Sequence, residues 1–238
     1  MFGLSPLSGL RVNRWQRAHK VAADLTAKLR INEIFHSLQG ESSRIGLPTV
    51  FVRLAGCPLR CVWCDTEYAF SRGEFAEVGE VLQQVAAFGC KTVCVTGGEP
   101  LAQKPCLGLL TALCNAGYSV SLETSGALDV SDVDPRVSKI MDLKAPDSGE
   151  SARNLWENIE HLTPRDELKF VLASESDYRW AKDVVESRSL ADCCDVLFSP
   201  VPDRLDPAQL AKWILHDRLP VRFQLQLHKI LWGSIPGR

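Results

Sequence analysis

Three cysteines crowd into the stretch GCPLRCVWCDTEY, at Cys57, Cys61 and Cys64, spaced C-x3-C-x2-C. Thiolates this close together, on a loop shaped by Gly56 and Pro58, are soft-metal ligands, and their number decides which metal they suit. A structural zinc ion takes four ligands, so the trio would need a fourth from elsewhere, with Cys90 or Cys94 as candidates. A cubane iron-sulfur cluster held at three corners leaves one iron without a protein ligand and able to take a small molecule. The apolar run CKTVCV puts Cys90 and Cys94 on one face of a strand and so in the core, which favours the cluster. Cys106, Cys114, Cys193 and Cys194 read as small buried packing residues.

The elements that must position this loop alternate along the chain. Short apolar runs predict strands at INEIF, TVFVRLA, KTVCVT, YSVSLET, VSKIMDLK, ELKFVL, DVLFSP and VRFQLQLH. Amphipathic patterns predict helices over 74–88, 100–116, 151–161, 177–187 and 206–216, the second framed by Pro100 and Gly117. Strand then helix, repeated, implies right-handed crossovers and a mostly parallel α/β sheet, either doubly wound or curled into a barrel. Both architectures carry their sites at the C-terminal ends of the strands. Four polar or glycine-rich segments, TGGEP, ETSG, DLKAP and SPVP, each follow a predicted strand there.

Bulk properties narrow the class. The chain has 238 residues, 45% hydrophobic and 24% charged, enough for one globular domain with a sizeable core. A net charge of -2 offers no global field for nucleic acid or an anionic membrane. No apolar run approaches the roughly 20 residues that span a bilayer. With no compact apolar block of a secretory signal either, the expected location is the cytoplasm, where nine cysteines point to thiol chemistry or metal ligation before disulfides. Residues 1–28 stand apart: Arg11, Arg14, Arg17 and Lys20 meet no acid before Asp24, which reads as a basic amphipathic helix, a targeting segment or a non-essential extension, outside a 29–238 catalytic domain.

C-x3-C-x2-C with Trp63 before its last cysteine, joined to TGGEP about thirty residues on, resembles the radical S-adenosylmethionine (SAM) superfamily. That resemblance implies a 4Fe-4S cluster whose open iron chelates SAM, and a 5'-deoxyadenosyl radical made by one-electron cleavage of the sulfonium. A narrower likeness, from about Arg30 onward, is to the 7-carboxy-7-deazaguanine synthase family. It rests on INEIFHSLQGES, GLPTVFVRLAGCPLRCVWCDT, TGGEP, LETSG, DLKAPDSG and FQLQLHKILWG. The family implies an incomplete, shortened TIM-type barrel, a homodimer, Mg2+, and a flavodoxin or ferredoxin as electron donor. Its reaction is the ring contraction of 6-carboxy-5,6,7,8-tetrahydropterin with loss of ammonia. A glycyl-radical-activating enzyme shares the cysteine spacing, and a zinc or electron-carrier module is the non-enzymatic rival.

Carried over residue by residue, the likeness assigns pterin contacts to Leu38, Gln39 and Gly40, with Glu41 and Glu123 accepting from ring nitrogens, and Thr96 beside them. Arg53 lies in an apolar strand, where a lone guanidinium must find an anion; a structural ion pair would serve, and the family makes that anion the substrate carboxylate. The likeness implies a tail that closes over the substrate, with His228 as a hydrogen-bond partner of the pterin and Pro236 against it. It also carries the family's magnesium ligand onto Thr66, although Asp65 and Thr66 would otherwise read as a helix cap. SAM contacts fall on Trp63, Cys64, Asp65 and Gly98, on Asp142, Leu143 and Lys144, and on Ser199, Pro200, Val201 and Pro202. The family often has glycine where this chain has Ser42, a change that bears on the turn after LQGE.

Overall fold

The computed structural model describes residues 23–233 together with 235 and 237. The basic segment 1–22 and the Pro236 position therefore lie outside the described residues. The fold begins before the expected boundary at 29. Ala23 and Ala27 pack on the core, and Val78 N–H donates to Ala27 O at 3.0 Å.

The order of elements is β1 (Lys28–Leu38), β2 (Pro48–Leu54), β3 (Glu74–Glu77), α1 (Val78–Ala87), β4 (Thr92–Gly97), α2 (Cys106–Asn115), β5 (Ser119–Thr124), β6 (Ser138–Asp142), β7 (Glu167–Leu172), α3 (Glu175–Ser187), β8 (Asp195–Pro200), α4 (Pro207–Asp217), β9 (Arg222–Phe223) and α5 (Leu227–Trp232). They build one nine-stranded sheet ordered β3-β1-β2-β4-β5-β6-β7-β8-β9. From β2 onward, β3 apart, neighbouring strands pair in parallel, while β1 is antiparallel to both β2 and β3. The parallel strands succeed one another in a single direction with no reversal, so the sheet curls instead of winding doubly. Its two edges, β3 and β9, do not pair with each other, which makes the barrel incomplete.

Strand alternation divides this sheet chemically. Outward residues such as Val50, Val52, Leu54, Val93, Val95, Val120 and Leu122 form one apolar cluster with α1 and α2. Leu168, Phe170, Val196 and Phe198 form a second with α3 and α4. The inward set includes Arg53, Thr96, Glu123, Asp142 and Lys169, which a core could not hold.

Four expectations change. The helix expected over 100–116 splits into a 3-10 turn at Pro100–Ala102 and α2 at Cys106–Asn115. The helix expected over 74–88 starts late, because its first four residues are strand β3, and a Glu77–Glu80 capping box opens α1. The helix expected over 151–161 is two short 3-10 turns. There the side chains of Asn154 and Asn158 bond to the backbone of residues 144, 126, 128 and 130, in competition with helical bonding. The final strand shrinks to Arg222–Phe223 and LHKILW becomes α5. Gln224 N–H still donates to Phe198 O at 2.9 Å, while its side chain exchanges bonds of 2.8 and 2.9 Å with the Ser42 backbone, and pairing ends there.

The loop 39–47 crosses beneath the N-terminal ends of the strands. Ser43 Oγ donates to Glu167 at 2.5 Å, and Arg44 reaches the hydroxyls of Ser119 and Ser138 at 3.1 Å each. Ser42 is buried at φ 66, the left-handed region, and its Oγ accepts from Arg44 N–H at 3.1 Å. That bond offsets backbone strain of about 1–2 kcal/mol. Ser42→Gly should therefore stay within about 0.5 kcal/mol of the parent in urea unfolding, whereas Ser42→Val should lose at least about 2 kcal/mol.

Candidate active site

Glycines hold the cysteine loop in place. A Cβ on Gly97 would overlap the Leu54 carbonyl oxygen, and one on Gly98 would overlap that of Gly56 and come within 2.8 Å of Cys57 Cβ. Gly98 N–H donates to Leu54 O at 3.1 Å and Glu99 N–H to Gly56 O at 2.8 Å, sewing the end of β4 to the start of the loop. The glycines thus admit a protein backbone as their nearest neighbour. Glu99, fully buried, anchors the same segment to the end of β5: it accepts from Thr124 Oγ1 (2.9 Å), Ser125 N–H (2.6 Å) and Ser125 Oγ (2.5 Å).

Above these strand ends lies a cavity of about 260 Å³. Cys57, Cys61 and Cys64 line one end, with Trp63 and Lys144. Burial raises the thiols of Cys57 and Cys61 above their ordinary value, and nearby Lys144 partly offsets this. Asp142 turns toward the same end. Its Oδ2 accepts from Lys144 Nζ at 2.9 Å, while Oδ1 is buried with no partner among the described residues. Three thiols on one loop, beside a carboxylate oxygen awaiting a donor, fit a cluster held at three corners with a zwitterionic ligand next to it.

The other end is built by β1, β2, β5 and β7. Phe35 and Phe51 stack at 4.9 Å between centroids and form a flat apolar wall. Arg53 Nε donates to Glu33 Oε1 at 2.7 Å, and Tyr68 Oη donates to the same oxygen at 2.9 Å. Burial, with Glu33 adding to it against Arg53, pushes the Tyr68 hydroxyl up to about 12. Glu123 accepts from Thr96 Oγ1 at 2.8 Å and from Gln39 Nε2 at 3.2 Å. Burial alone would raise Glu41, but Lys169 at 2.6 Å and Gln226 at 2.7 Å hold it at about 2. A Cβ on Gly40 would strike the His228 ring, so α5 rests directly on the LQGE turn.

The cavity brings together Leu38, Gln39, Gly40, Glu41, Arg53, Thr96, Glu123 and His228 on one side, and Trp63, Cys64, Asp65, Thr66, Gly98, Asp142, Lys144, Val201 and Pro202 on the other. Leu143, Ser199 and Pro200 do not line it. Leu143 packs in the second core cluster, and the other two are buried at the end of β8. Asp65 does not cap a helix; its carboxylate meets Lys229 Nζ at 2.9 Å. Thr66 precedes a 3-10 turn without a capping bond, and its hydroxyl lies 3.7 Å from Cys64 Sγ. Neither proposed fourth zinc ligand reaches the trio. Cys94 is buried within β4, and Cys90 precedes that strand, donating to Pro48 O at the far end of β2, about 20 Å along the strand from the loop. Sequence reasoning missed Lys169, Glu33, Tyr68, Gln226 and Lys229. The first was open to the argument used for Arg53, a lone cation inside an apolar strand.

A radical SAM superfamily model matches residues 51–146. The 7-carboxy-7-deazaguanine synthase of Chlorobaculum tepidum is 49% identical over 210 residues, 87% of this chain and 96% of that one. The chain belongs to the 7-carboxy-7-deazaguanine synthase family. The member of that family from Koribacter versatilis is 41% identical over 221 residues, covering 86% and 97% of the two chains. The crystal structure of QueE from Escherichia coli shares the fold, with a TM-score of 0.71, 24% identity and coverage of 84% and 95%. As a family member the chain is a radical SAM enzyme, working with a 4Fe-4S cluster and SAM.

Two outcomes follow from the packing and the charges. Gly98→Ala must displace the loop backbone, so iron and sulfide bound after anaerobic reconstitution should fall well below the parent's while far-UV circular dichroism is unchanged. Glu41 titrates near 2 when folded against 4.5 in the free side chain, so its stabilisation is complete above about pH 4.5 and is lost as the pH falls toward 2. Thermal melts between pH 6 and pH 3 should drop more steeply for the parent than for Glu41→Gln.

Proposed function

We propose that this chain converts 6-carboxy-5,6,7,8-tetrahydropterin into 7-carboxy-7-deazaguanine with loss of ammonia, a step toward deazapurine nucleosides such as queuosine. The observation that carries this reading is the two-ended cavity: three thiols face an arginine, two glutamates and a glutamine across one small space. When bound, the cluster and SAM would supply the carbon-centred radical needed for hydrogen-atom abstraction from the pterin.

The chain's own residues bind, orient and shield. Glu33 occupies Arg53 Nε, leaving the two terminal guanidinium nitrogens to fork a carboxylate. Glu123, tethered by Thr96 and Gln39, keeps lone pairs for the donor edge of a guanine-like ring. Glu41 stays ionised for the same edge. Phe35 and Phe51 give the ring a flat wall, and α5 closes the side at Gly40, so stray hydrogen donors are kept out. The Thr66 hydroxyl, free of any capping duty, would hold Mg2+ together with substrate oxygens and water. A protein-backbone substrate would leave Arg53 and Glu123 without a purpose.

The same reading includes SAM contacts at the strand ends after β6 and β8, a pterin contact at Pro236, and a flavodoxin or ferredoxin as one-electron donor. It also includes a homodimer, for which exposed Ile230 and Leu231 on α5 offer apolar surface, and a cytoplasmic location suited to nine free thiols. Among the described residues no helix is long and apolar enough to cross a membrane.

Anaerobic protein with reconstituted cluster, SAM, a reductant and carboxytetrahydropterin should release ammonia and a deazapurine, with turnover rising as Mg2+ is added. SAM cleavage without a deazapurine would contradict the reading. Arg53→Met should raise KM for the carboxylated pterin by about 30- to 100-fold, the worth of a forked charge-assisted pair, and leave binding of a pterin lacking the carboxylate nearly unchanged.

A further inference from the structure

One file of alternating charges runs along the cavity wall from end to end. Gln226 donates to Glu41 Oε1 at 2.7 Å, and Lys169 Nζ donates to Glu41 Oε2 at 2.6 Å. The same Nζ stands 3.7 Å from Asp142 Oδ2, to which Lys144 Nζ donates at 2.9 Å. Glu41 belongs to the LQGE loop at the pterin end. Asp142 and Lys144 belong to the end of β6, on the side of Cys61. Lys169 projects from the middle of β7 with its side chain 13% exposed and reaches both carboxylates.

Placing an ammonium there costs desolvation, which two carboxylates together offset. Its removal leaves Glu41 with only an amide partner, and Asp142 without one of its two cations. Asp142 Oδ1, buried and without a partner among the described residues, is an independent sign that a ligand meets the file beside Lys144.

We propose that Lys169 is a positioning residue shared by the two half-sites, holding Glu41 toward the donor edge of the pterin and turning Asp142 so that Oδ1 meets a donor group of SAM. The inference rests on the function proposed above, since it needs a pterin at one end. A single cation then fixes the distance between the two ligands, which a hydrogen-atom transfer between them requires to be short.

The test is equilibrium binding to the reconstituted, unreduced enzyme, where no turnover occurs, with SAM and oxidised 6-carboxypterin as ligands. Lys169→Met should weaken carboxypterin about 100-fold and SAM about 10-fold, at undiminished cluster content. Lys169→Arg should recover most of both affinities, because it restores the charge. Adding Glu41→Gln to Lys169→Met should weaken carboxypterin little further, and adding Asp142→Asn should do the same for SAM. Should Lys169→Met fail to hold its cluster, Lys169→Gln serves for the same comparison. Affinities within twofold of the parent, loss of only one ligand, or an arginine variant as poor as the methionine one would overturn the proposal. A parent enzyme that binds SAM but not carboxypterin overturns instead the functional reading, and the substrate arm with it.

Discussion

The site depends on two backbones meeting with no side chain between them. Gly97 and Gly98 bring the end of β4 against Leu54 and Gly56, and the hydrogen bonds of Gly98 and Glu99 fix the contact. The cysteine loop leaves the sheet at that seam, so the placement of all three thiols follows from it. Glu99 extends the seam to the next strand through Thr124 and Ser125, a buried carboxylate saturated by hydroxyl and amide donors. Such a network is rigid because breaking any one bond leaves a buried polar group unsatisfied.

An incomplete barrel suits this arrangement. A closed barrel of this size fills its interior with apolar layers. Here the edges stay apart, and the interior carries Arg53, Glu123, Asp142 and Lys169 in mutually neutralising groups. The loop 39–47 spans the N-terminal mouth, tied to Glu167, Ser119 and Ser138, and brings Gln39 and Glu41 up into the cavity as it passes. Stability and the lining of the cavity thus share one loop, and Ser42 takes up its left-handed turn with a side-chain bond that glycine could not make.

Much of this was legible in the sequence. The strands β2 and β4 to β8 show themselves as apolar runs, and the motif segments fall after strands because parallel sheets carry their sites there. The cysteine spacing and the GGE turn marked the thiol end of the cavity, and Arg53 was readable as a cation out of place. What could not be read was pairing. Glu33 and Tyr68 converge on Arg53 from other segments, Lys169 meets Glu41 across 128 residues, and Gln224 captures Ser42 across 182. The helix expected over 151–161 failed for a related reason: its asparagines serve distant backbone groups, a duty that local periodicity does not register.

A cluster held by the three thiols at three corners must leave one iron open to SAM. Mössbauer spectra of the 57Fe-reconstituted, oxidised protein, taken with and without SAM, decide whether it does. SAM should change the isomer shift of one iron in four and leave the other three in place. Four irons indifferent to SAM would mean that the protein closes the fourth corner itself.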